Sequence, residues 1–238
     1  MKISANLLHL LLLAAFPILA AEPSGTLIFS DNFDRNESQE ETEEIGNGWT
    51  TASKTRAKGN KQVDLRDGAM HIYIHPVADH AVSVRQPLQF RDGAIAIRFK
   101  LEDPKDQLGI NFADLKEKSV WAGHLFKAVI SKSAVEVTDL KTGIMNLEIR
   151  AARKAKSLTR AQEKHLKSTS KKFRHNTKID KWHSLLIEIE DSQLTVTINN
   201  KTVGTFQSEG IAHDTKTLLR LSVPRQAVVD DVKIYRRN

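Results

Sequence analysis

The chain has 238 residues, 40% of them hydrophobic, and contains no cysteine. This length and apolar content suffice to bury one large core, so one domain is the default expectation. The lack of cysteine excludes a disulfide framework and a thiol nucleophile, and the core itself must therefore stabilise the fold.

The N-terminus has the layout of a secretory signal peptide. Lys2 precedes an apolar run over residues 7–19, and Ala20 and Ala21 follow that run. The run is short for a membrane span and no stop-transfer pattern comes after it, although an uncleaved N-terminal anchor is the alternative. We therefore expect residues 1–21 to be removed and no transmembrane span to remain. The mature protein is then secreted or resides in the periplasm or cell envelope.

Period-two alternation is the dominant pattern of the remaining chain. Ile95, Ile97 and Phe99 fall on one face of a predicted strand, while Ala96 and Arg98 fall on the other. A strand with one buried side shows this pattern, and its recurrence between turn residues is typical of a sandwich or barrel. Further strands are predicted at 27–33, 69–75, 81–88, 108–113, 125–130 and 134–139, and around 219–223 and 228–234.

The clearest alternation runs from Trp182 to Phe206. Turn residues interrupt it at 191–192 and again at 199–201, where asparagine tolerates the positive φ that a tight hairpin needs. This segment predicts a three-stranded meander.

The positive charge of the protein is concentrated in one segment. The whole chain carries a formal charge of +7, whereas residues 150–181 alone hold twelve lysines and arginines and two acids, a local +10. Without residues 1–21, which contain one cation, the total is +6 and the part outside the segment is about −4. The basicity therefore belongs to this segment and not to the domain as a whole.

Helical features replace the alternation in the same region. Ala151, Ala155 and Leu158 lie at helical spacing, and Thr159 with Gln162 has the spacing of a capping box. We predict a basic helical insertion over residues 144–180 within one sandwich domain spanning 22–238.

Several motifs carry a resemblance to a known superfamily. They are Trp182-His183, the turn from Ile198 to Val203, the terminal stretch from Val229 to Tyr235, the Phe29-Ser30-Asp31-Asn32-Phe33-Asp34 stretch and Gly48-Trp49. Together they resemble concanavalin A-like lectin/glucanase domains, including laminin-G-like and 3-keto-disaccharide-hydrolase-like modules of exported bacterial proteins. The resemblance implies an all-β fold, a jelly-roll sandwich of two antiparallel sheets, and carbohydrate as the partner.

The sequence departs from the catalytic pattern of the glucanases in this superfamily. Their E-x-D-x-x-E strand is missing, although retaining hydrolysis needs an acid and a nucleophile about 5 Å apart. The nearest carboxylate pairs are Glu188 with Glu190 and Glu136 with Asp139. We therefore expect carbohydrate binding without demonstrable catalysis, with a 3-keto-disaccharide-hydrolase-like glycoside hydrolase as the alternative.

Two loops supply candidate binding residues. We predict that Asp114, Trp121, His124, His213 and Lys216 line a ligand-binding face. Asp114, His124 and His213 are also the candidates for acid/base chemistry, because carboxylate and imidazole groups serve that role. The alternative is that these loops merely close the sandwich.

Four aspartates form a candidate metal site. Asp31 and Asp34 follow the first predicted strand, and Asp230 and Asp231 precede the end of the last. First and last strands adjoin in many jelly rolls, and carboxylates suit Ca²⁺. A structural Ca²⁺ is the expectation from this set, a turn signal is the alternative, and no cofactor is required.

The basic insertion suggests a polyanionic partner, because clustered lysines and arginines accumulate anionic ligands. Phe173 is the one aromatic residue within the segment, so base stacking and nucleic-acid binding are not expected. An anionic polysaccharide or an envelope surface is the expected partner, and a merely solvated helix pair is the alternative.

Overall fold

Two antiparallel sheets form a sandwich in the computed structural model, which describes residues 23–237. The predicted signal peptide lies outside the described residues. The strands, in chain order, are β1 Thr26–Asp31, β2 Thr50–Thr51, β3 Val63–Arg66, β4 Ala69–Tyr73, β5 Val82–Phe90, β6 Gly93–Lys100, β7 Gln107–Ala113, β8 His124–Ser131, β9 Ala134–Asp139, β10 Ser170–Arg174, β11 His183–Glu190, β12 Gln193–Ile198, β13 Lys201–Gln207, β14 Lys216–Val223 and β15 Gln226–Arg236. The helices are α1 Ser53–Arg56, α2 Leu147–Lys154 and α3 Arg160–Ser168.

The two sheets have eight and seven strands. Sheet A has the order β13-β12-β11-β6-β15-β4-β3, and β1 pairs with the C-terminal half of β15. Sheet B has the order β10-β9-β8-β7-β14-β5-β2. Most spatial neighbours are distant in sequence, as in a jelly roll, and the predicted all-β sandwich of two antiparallel sheets is confirmed.

The core lies between the inner faces of the two sheets. Ile95, Ile97 and Phe99 of β6 are at most 2% exposed, and the inward residues of the other long strands join them in one apolar cluster. Since side chains alternate along a strand, burying one set leaves the other set on the outer face. The alternation read from the sequence therefore decides which side chains reach solvent.

The predicted meander is present as β11, β12 and β13. Asp191, Asn199 and Asn200 adopt positive φ at its two turns, as expected from the turn residues. The pairing of the first strand with the last strand is also present. The sequence patterns did not reveal the short strands β2 and β3, because neither carries an alternating run long enough to recognise.

The basic segment contains the two predicted helices and also a strand. Asn146 caps α2, and Thr159 and Gln162 form the predicted capping box of α3. The part after α3 is not helical, because β10 pairs with β9 and becomes an edge of sheet B. Phe173 of β10 packs against Gly204 of β13, where a Cβ atom would lie 2.2 Å from the ring. The insertion is thus continuous with the sandwich.

One buried carboxylate fixes the loop before β14. Asp139 is fully buried and accepts hydrogen bonds from the Ser208 hydroxyl (2.6 Å), the Gly210 amide (2.9 Å) and both the amide and hydroxyl of Thr142. Four donors compensate the loss of hydration of this carboxylate. The loop that carries His213 is thereby held against the end of β9.

None of the helices within residues 23–237 is long and apolar enough to cross a lipid bilayer.

The close approach of Gly210 to Asp139 gives a stability prediction. A Cβ atom at position 210 would lie 2.0 Å from an Asp139 carboxylate oxygen. Gly210→Ala must therefore displace the loop before β14, and the buried carboxylate then loses hydrogen bonds from Ser208 and Gly210. We expect Gly210→Ala to lower the free energy of unfolding by about 2–4 kcal/mol in urea denaturation, whereas Ser208→Ala removes one donor and costs about 1 kcal/mol. Equal effects of the two substitutions would contradict this role of Asp139.

Candidate functional site

A continuous row of polar side chains crosses the outer face of sheet B. Its members are direct cross-strand partners on seven adjacent strands, one residue from each. In spatial order the row, called the outer row below, is Thr50, Arg85, Arg220, Asn111, Lys127, Thr138 and Ser170. Directly opposed residues have Cβ atoms about 5 Å apart, so the row presents closely spaced hydrogen-bonding groups along one line.

The side chains at the centre of the outer row are buried. Arg220 and Asn111 are 9% and 7% exposed, although both lie on the face turned away from the core. Beside this row, the neighbouring strands form a depression of about 190 Å³, lined by Gln107, Lys127, Val129, Ser131, Ala134, Glu136 and Lys172. The outer face of sheet B thus combines a polar centre with an open depression that reaches the edge strand β10.

His124 joins the outer row through Arg220. The Arg220 guanidinium donates to the Ala122 carbonyl at 2.8 Å and lies 3.1 Å from Nδ1 of His124. Because a guanidinium has only donors, the imidazole nitrogen that it reaches must hold a lone pair. Burial, with the charges of Arg220 and Lys127, lowers the pKa of His124 to about 4. The imidazole is therefore neutral at neutral pH and is an acceptor, not an acid.

The cations of this face lack acidic partners. Arg85 is the direct cross-strand partner of Arg220, and its one intramolecular hydrogen bond goes to the Ser83 hydroxyl. Among residues 23–237 no carboxylate oxygen lies within 4.0 Å of Arg85, Arg220 or Lys127. Burial, together with the neighbouring Arg85, lowers the pKa of Arg220 to about 10. Arg85 and Arg220 thus carry positive charge that no carboxylate within 4.0 Å compensates in the described part of the chain.

Asp114 and His213 come together, as expected of residues at one end of the sandwich, but in a closed network. His213 Nε2 lies 3.2 Å from the Asp114 carboxylate, and its Nδ1 accepts a hydrogen bond from Lys141 at 2.9 Å. Glu117 lies 3.6 Å from the same lysine. Burial acts to raise the pKa of Asp114, but hydrogen bonds from the Lys116 amide and from His213 outweigh it and lower that pKa. Both ring nitrogens are engaged, so His213 has no free nitrogen to act as a base.

Lys216 does not line a ligand-binding face. It is fully buried, and its ammonium donates to the carbonyls of Arg91 (2.6 Å) and His213 (2.7 Å). Burial lowers the pKa of Lys216 to about 8. The prediction that Lys216 binds ligand is therefore replaced by a structural role, in which its ammonium holds the loop that carries His213.

Trp121 lies on the surface of the protein. Its side chain is 53% exposed, and the guanidinium of Arg150 from α2 lies 4.6 Å from the ring centroid. The carbonyl of the next residue, Ala122, is the one that Arg220 binds. Trp121 thus stands at the rim of the outer row, where an aromatic ring offers a stacking surface. Of the predicted binding residues, Trp121 and His124 belong to this face, whereas Asp114 and His213 form the separate network.

All four predicted metal ligands make polar contacts within the protein. Asp31 is occupied by a bidentate pair with Arg35 at 2.7 and 2.9 Å and accepts the Trp49 indole N–H. Asp230 and Asp231 both contact Arg98, while Asp34 accepts from Asn32. In the described part of the chain, no three of these four aspartates bring ligand oxygens within 4.8 Å of one another. Their geometry adds no support to the predicted Ca²⁺ site.

Within residues 23–237, one group of three acidic residues has its oxygens close enough together to bind a metal ion. The ammonium of a lysine lies among these oxygens. Glu37, Glu40 and Asp64 approach one another, and the Lys61 ammonium lies 2.6, 3.1 and 2.8 Å from their oxygens. The cation of this cluster is therefore supplied by the protein itself.

The carboxylate pairs considered for hydrolysis are not arranged for it. Glu136 and Asp139 point to opposite sides of β9, the first outward and the second into the core. Glu188 and Glu190 lie on the outer face of sheet A, where Glu188 pairs with Arg237. Among the strand residues described for sheet B, Glu136 is the one acid on the outer face.

Sequence reasoning missed Arg85, Asn111, Lys127 and Arg220. Asn111, Lys127 and Arg220 are each a polar residue between apolar neighbours in a predicted strand, which is the signal that places them on the outer face, whereas Arg85 has an apolar neighbour, Val84, on one side only. What the sequence lacks is the register, since four strands distant along the chain must pair before these side chains meet.

No family model matches the sequence, and no curated protein matches it either. Solved structures with the same fold were found. A laminarinase from Rhodothermus marinus aligns with 90% of this chain and 98% of its own at a TM-score of 0.61 and 14% identity. A non-specific endo-β-1,3(4)-glucanase from family GH16 aligns with 92% of this chain and 94% of its own, at 0.60 and 13%. The carbohydrate-binding module CBM66 from Bacillus subtilis covers 79% of this chain and 95% of its own, at 0.52 and 11%. The chain has the concanavalin A-like jelly-roll fold that the sequence motifs resemble.

The low pKa of His124 gives a testable acid dependence. Since the unfolded imidazole has a pKa of about 6.5 and the folded one about 4, the unfolded state alone takes up this proton between those values. Stability therefore falls as the pH is lowered through this window, by about 1.5 kcal/mol between pH 6.5 and pH 5. Urea denaturation of the wild type and of His124→Gln at several pH values measures the free energy of unfolding. The variant should lack the decrease that protonation of His124 causes in the wild type. Identical pH slopes would show that His124 is not buried as a neutral acceptor.

Proposed function

We propose that this protein is an exported carbohydrate-binding module whose binding face is the outer face of sheet B. One observation carries the proposal, namely the outer row of hydrogen-bonding side chains that runs unbroken across seven strands. Sugars present rows of hydroxyls that both donate and accept, and a fixed row of amide, hydroxyl and cationic groups matches them.

The surroundings of the row support the same function. Trp121 offers a half-exposed ring at the rim. Asn111 supplies a neutral amide at the centre of the row, and Thr138 supplies a hydroxyl next to the edge strand β10. Rigid strands hold these groups, which limits the entropy that is lost when a ligand binds. The solved structures with this fold include a carbohydrate-binding module and glucanases. Export is supported by the signal-peptide pattern of residues 1–21.

Binding accounts for the site better than hydrolysis does. Retaining and inverting glycosidases need two carboxyl groups, about 5 Å or about 6.5–9.5 Å apart, on either side of the scissile bond. The outer face of sheet B carries Glu136, whose carboxylate accepts a hydrogen bond from Ser170 at 3.0 Å, and no second acid among the described strand residues. His124 is held as a neutral acceptor and cannot replace the missing acid.

Lys127 gives the most direct test of this face, because it makes no contact that the fold needs. We expect affinity gel electrophoresis over a panel of neutral and acidic soluble polysaccharides to show retardation by at least one of them. Lys127→Ala should weaken that retardation several-fold, since it removes a donor from the centre of the outer row. Lys201→Ala removes an exposed lysine from β13 of sheet A and should leave retardation unchanged. Retardation by no polysaccharide, or equal loss in both variants, would contradict the proposal.

A further inference from the structure

We propose that the Arg85–Arg220 pair is an anion-binding subsite, which accepts the carboxylate or sulfate group of an acidic polysaccharide lying on the outer row. The inference rests on the proposed function and adds to it the chemical class of the ligand.

Arg220 carries a charge that no acid within residues 23–237 neutralises. This guanidinium is 9% exposed, yet its two partners, the Ala122 carbonyl and the neutral His124 ring, are both uncharged. Buried charges in proteins are normally paired, because removing an ion from water costs several kcal/mol. The acid that would pair with Arg220 is absent among residues 23–237, so a ligand anion is the group that completes the site.

Arg85 places a second cation directly opposite Arg220. Like charges placed directly opposite on adjacent strands destabilise a sheet, and Arg85 faces Arg220 across one strand pair. Its guanidinium has a single hydroxyl partner, Ser83, at 3.3 Å. An arrangement that costs stability in the free protein becomes favourable once an anion sits between the two guanidinium groups. Arginine is also the side chain best shaped to bind carboxylate and sulfate oxygens with two donors.

Further cations lie along the same face of sheet B. Lys127 follows in the outer row, and Lys172 and Arg174 project outward from β10 at the sheet edge. None of the twelve lysines and arginines between 150 and 181 makes an ion pair within the described chain. A polymer with repeated negative groups could therefore contact the subsite and the edge strand at once, and repeated weak contacts add to the affinity.

The test compares Arg85→Gln with Arg236→Gln, which removes one exposed arginine from β15 of sheet A. Binding of polygalacturonate, dextran sulfate, neutral laminarin and duplex DNA is measured by titration calorimetry at fixed ionic strength. We expect Arg85→Gln to weaken binding of the acidic polysaccharide about tenfold or more, and Arg236→Gln to change it less than twofold. Polygalacturonate and dextran sulfate separate a carboxylate ligand from a sulfate ligand.

The thermal unfolding midpoint of the ligand-free protein is the second readout. Arg85→Gln should raise it, because the substitution relieves the repulsion of Arg220, so affinity and stability should change in opposite directions. A lower midpoint would assign Arg85 to the fold and overturn the inference.

The remaining outcomes separate this inference from the proposed function. Binding of laminarin alone, equal in both variants, would overturn the anion subsite and leave a carbohydrate-binding face. The subsite would also be overturned if Arg85→Gln bound the acidic polysaccharides as tightly as the wild type does. The same holds if the protein bound duplex DNA as tightly as polygalacturonate or dextran sulfate. Absence of binding to any of the three glycans would remove the proposed function and this inference with it.

Discussion

The charge of Arg220 is the constraint that the rest of the site depends on. This side chain starts from the middle of sheet B, reaches the outer face, and is buried there between the carbonyl of Ala122 and the lone pair of His124. That environment keeps the imidazole neutral, fixes the turn that carries Trp121, and leaves one positive charge without a counter-ion among the described residues. The cross-strand neighbours Arg85 and Asn111 complete the same row. These contacts are the basis on which we propose that this face binds an anionic ligand.

The buried polar groups divide into those that build the scaffold and those that face outward. Asp139, Lys216 and the network of Asp114 with His213 tie loops to the ends of strands, and their hydrogen-bonding groups are satisfied within the protein. The cations of the outer face and of the insertion are not neutralised in this way. The insertion also extends the face, because its strand β10 joins the edge of sheet B. The basic segment and the sheet therefore form one surface and not two separate features.

The fold was largely predictable from the sequence, whereas the site was predictable only in part. Alternation over 93–101 and 182–206 identified strands, since burial of one face imposes a period of two. The short strands β2, β3 and β10 carry too few residues to show a period. Trp121 and His124 could be singled out from the sequence because they lie in a loop with glycine between two predicted strands, and such loops often carry function. Their binding role stays a prediction. Lys216 was misassigned because its type predicts exposure, and Arg220 was missed because the pairing of β14 with β5 and β7 is not visible in a linear sequence.

The most direct measurement of the central claim is residue-resolved NMR of the protein titrated with galacturonate oligomers. We expect amide shifts to change along β5, β14, β7 and β8 at the positions of the outer row, and the Arg220 guanidinium signal to move as its charge is neutralised. Shift changes confined to sheet A or to the helices of the insertion would contradict this claim, as would an Arg220 signal that stays unchanged while the oligomer binds.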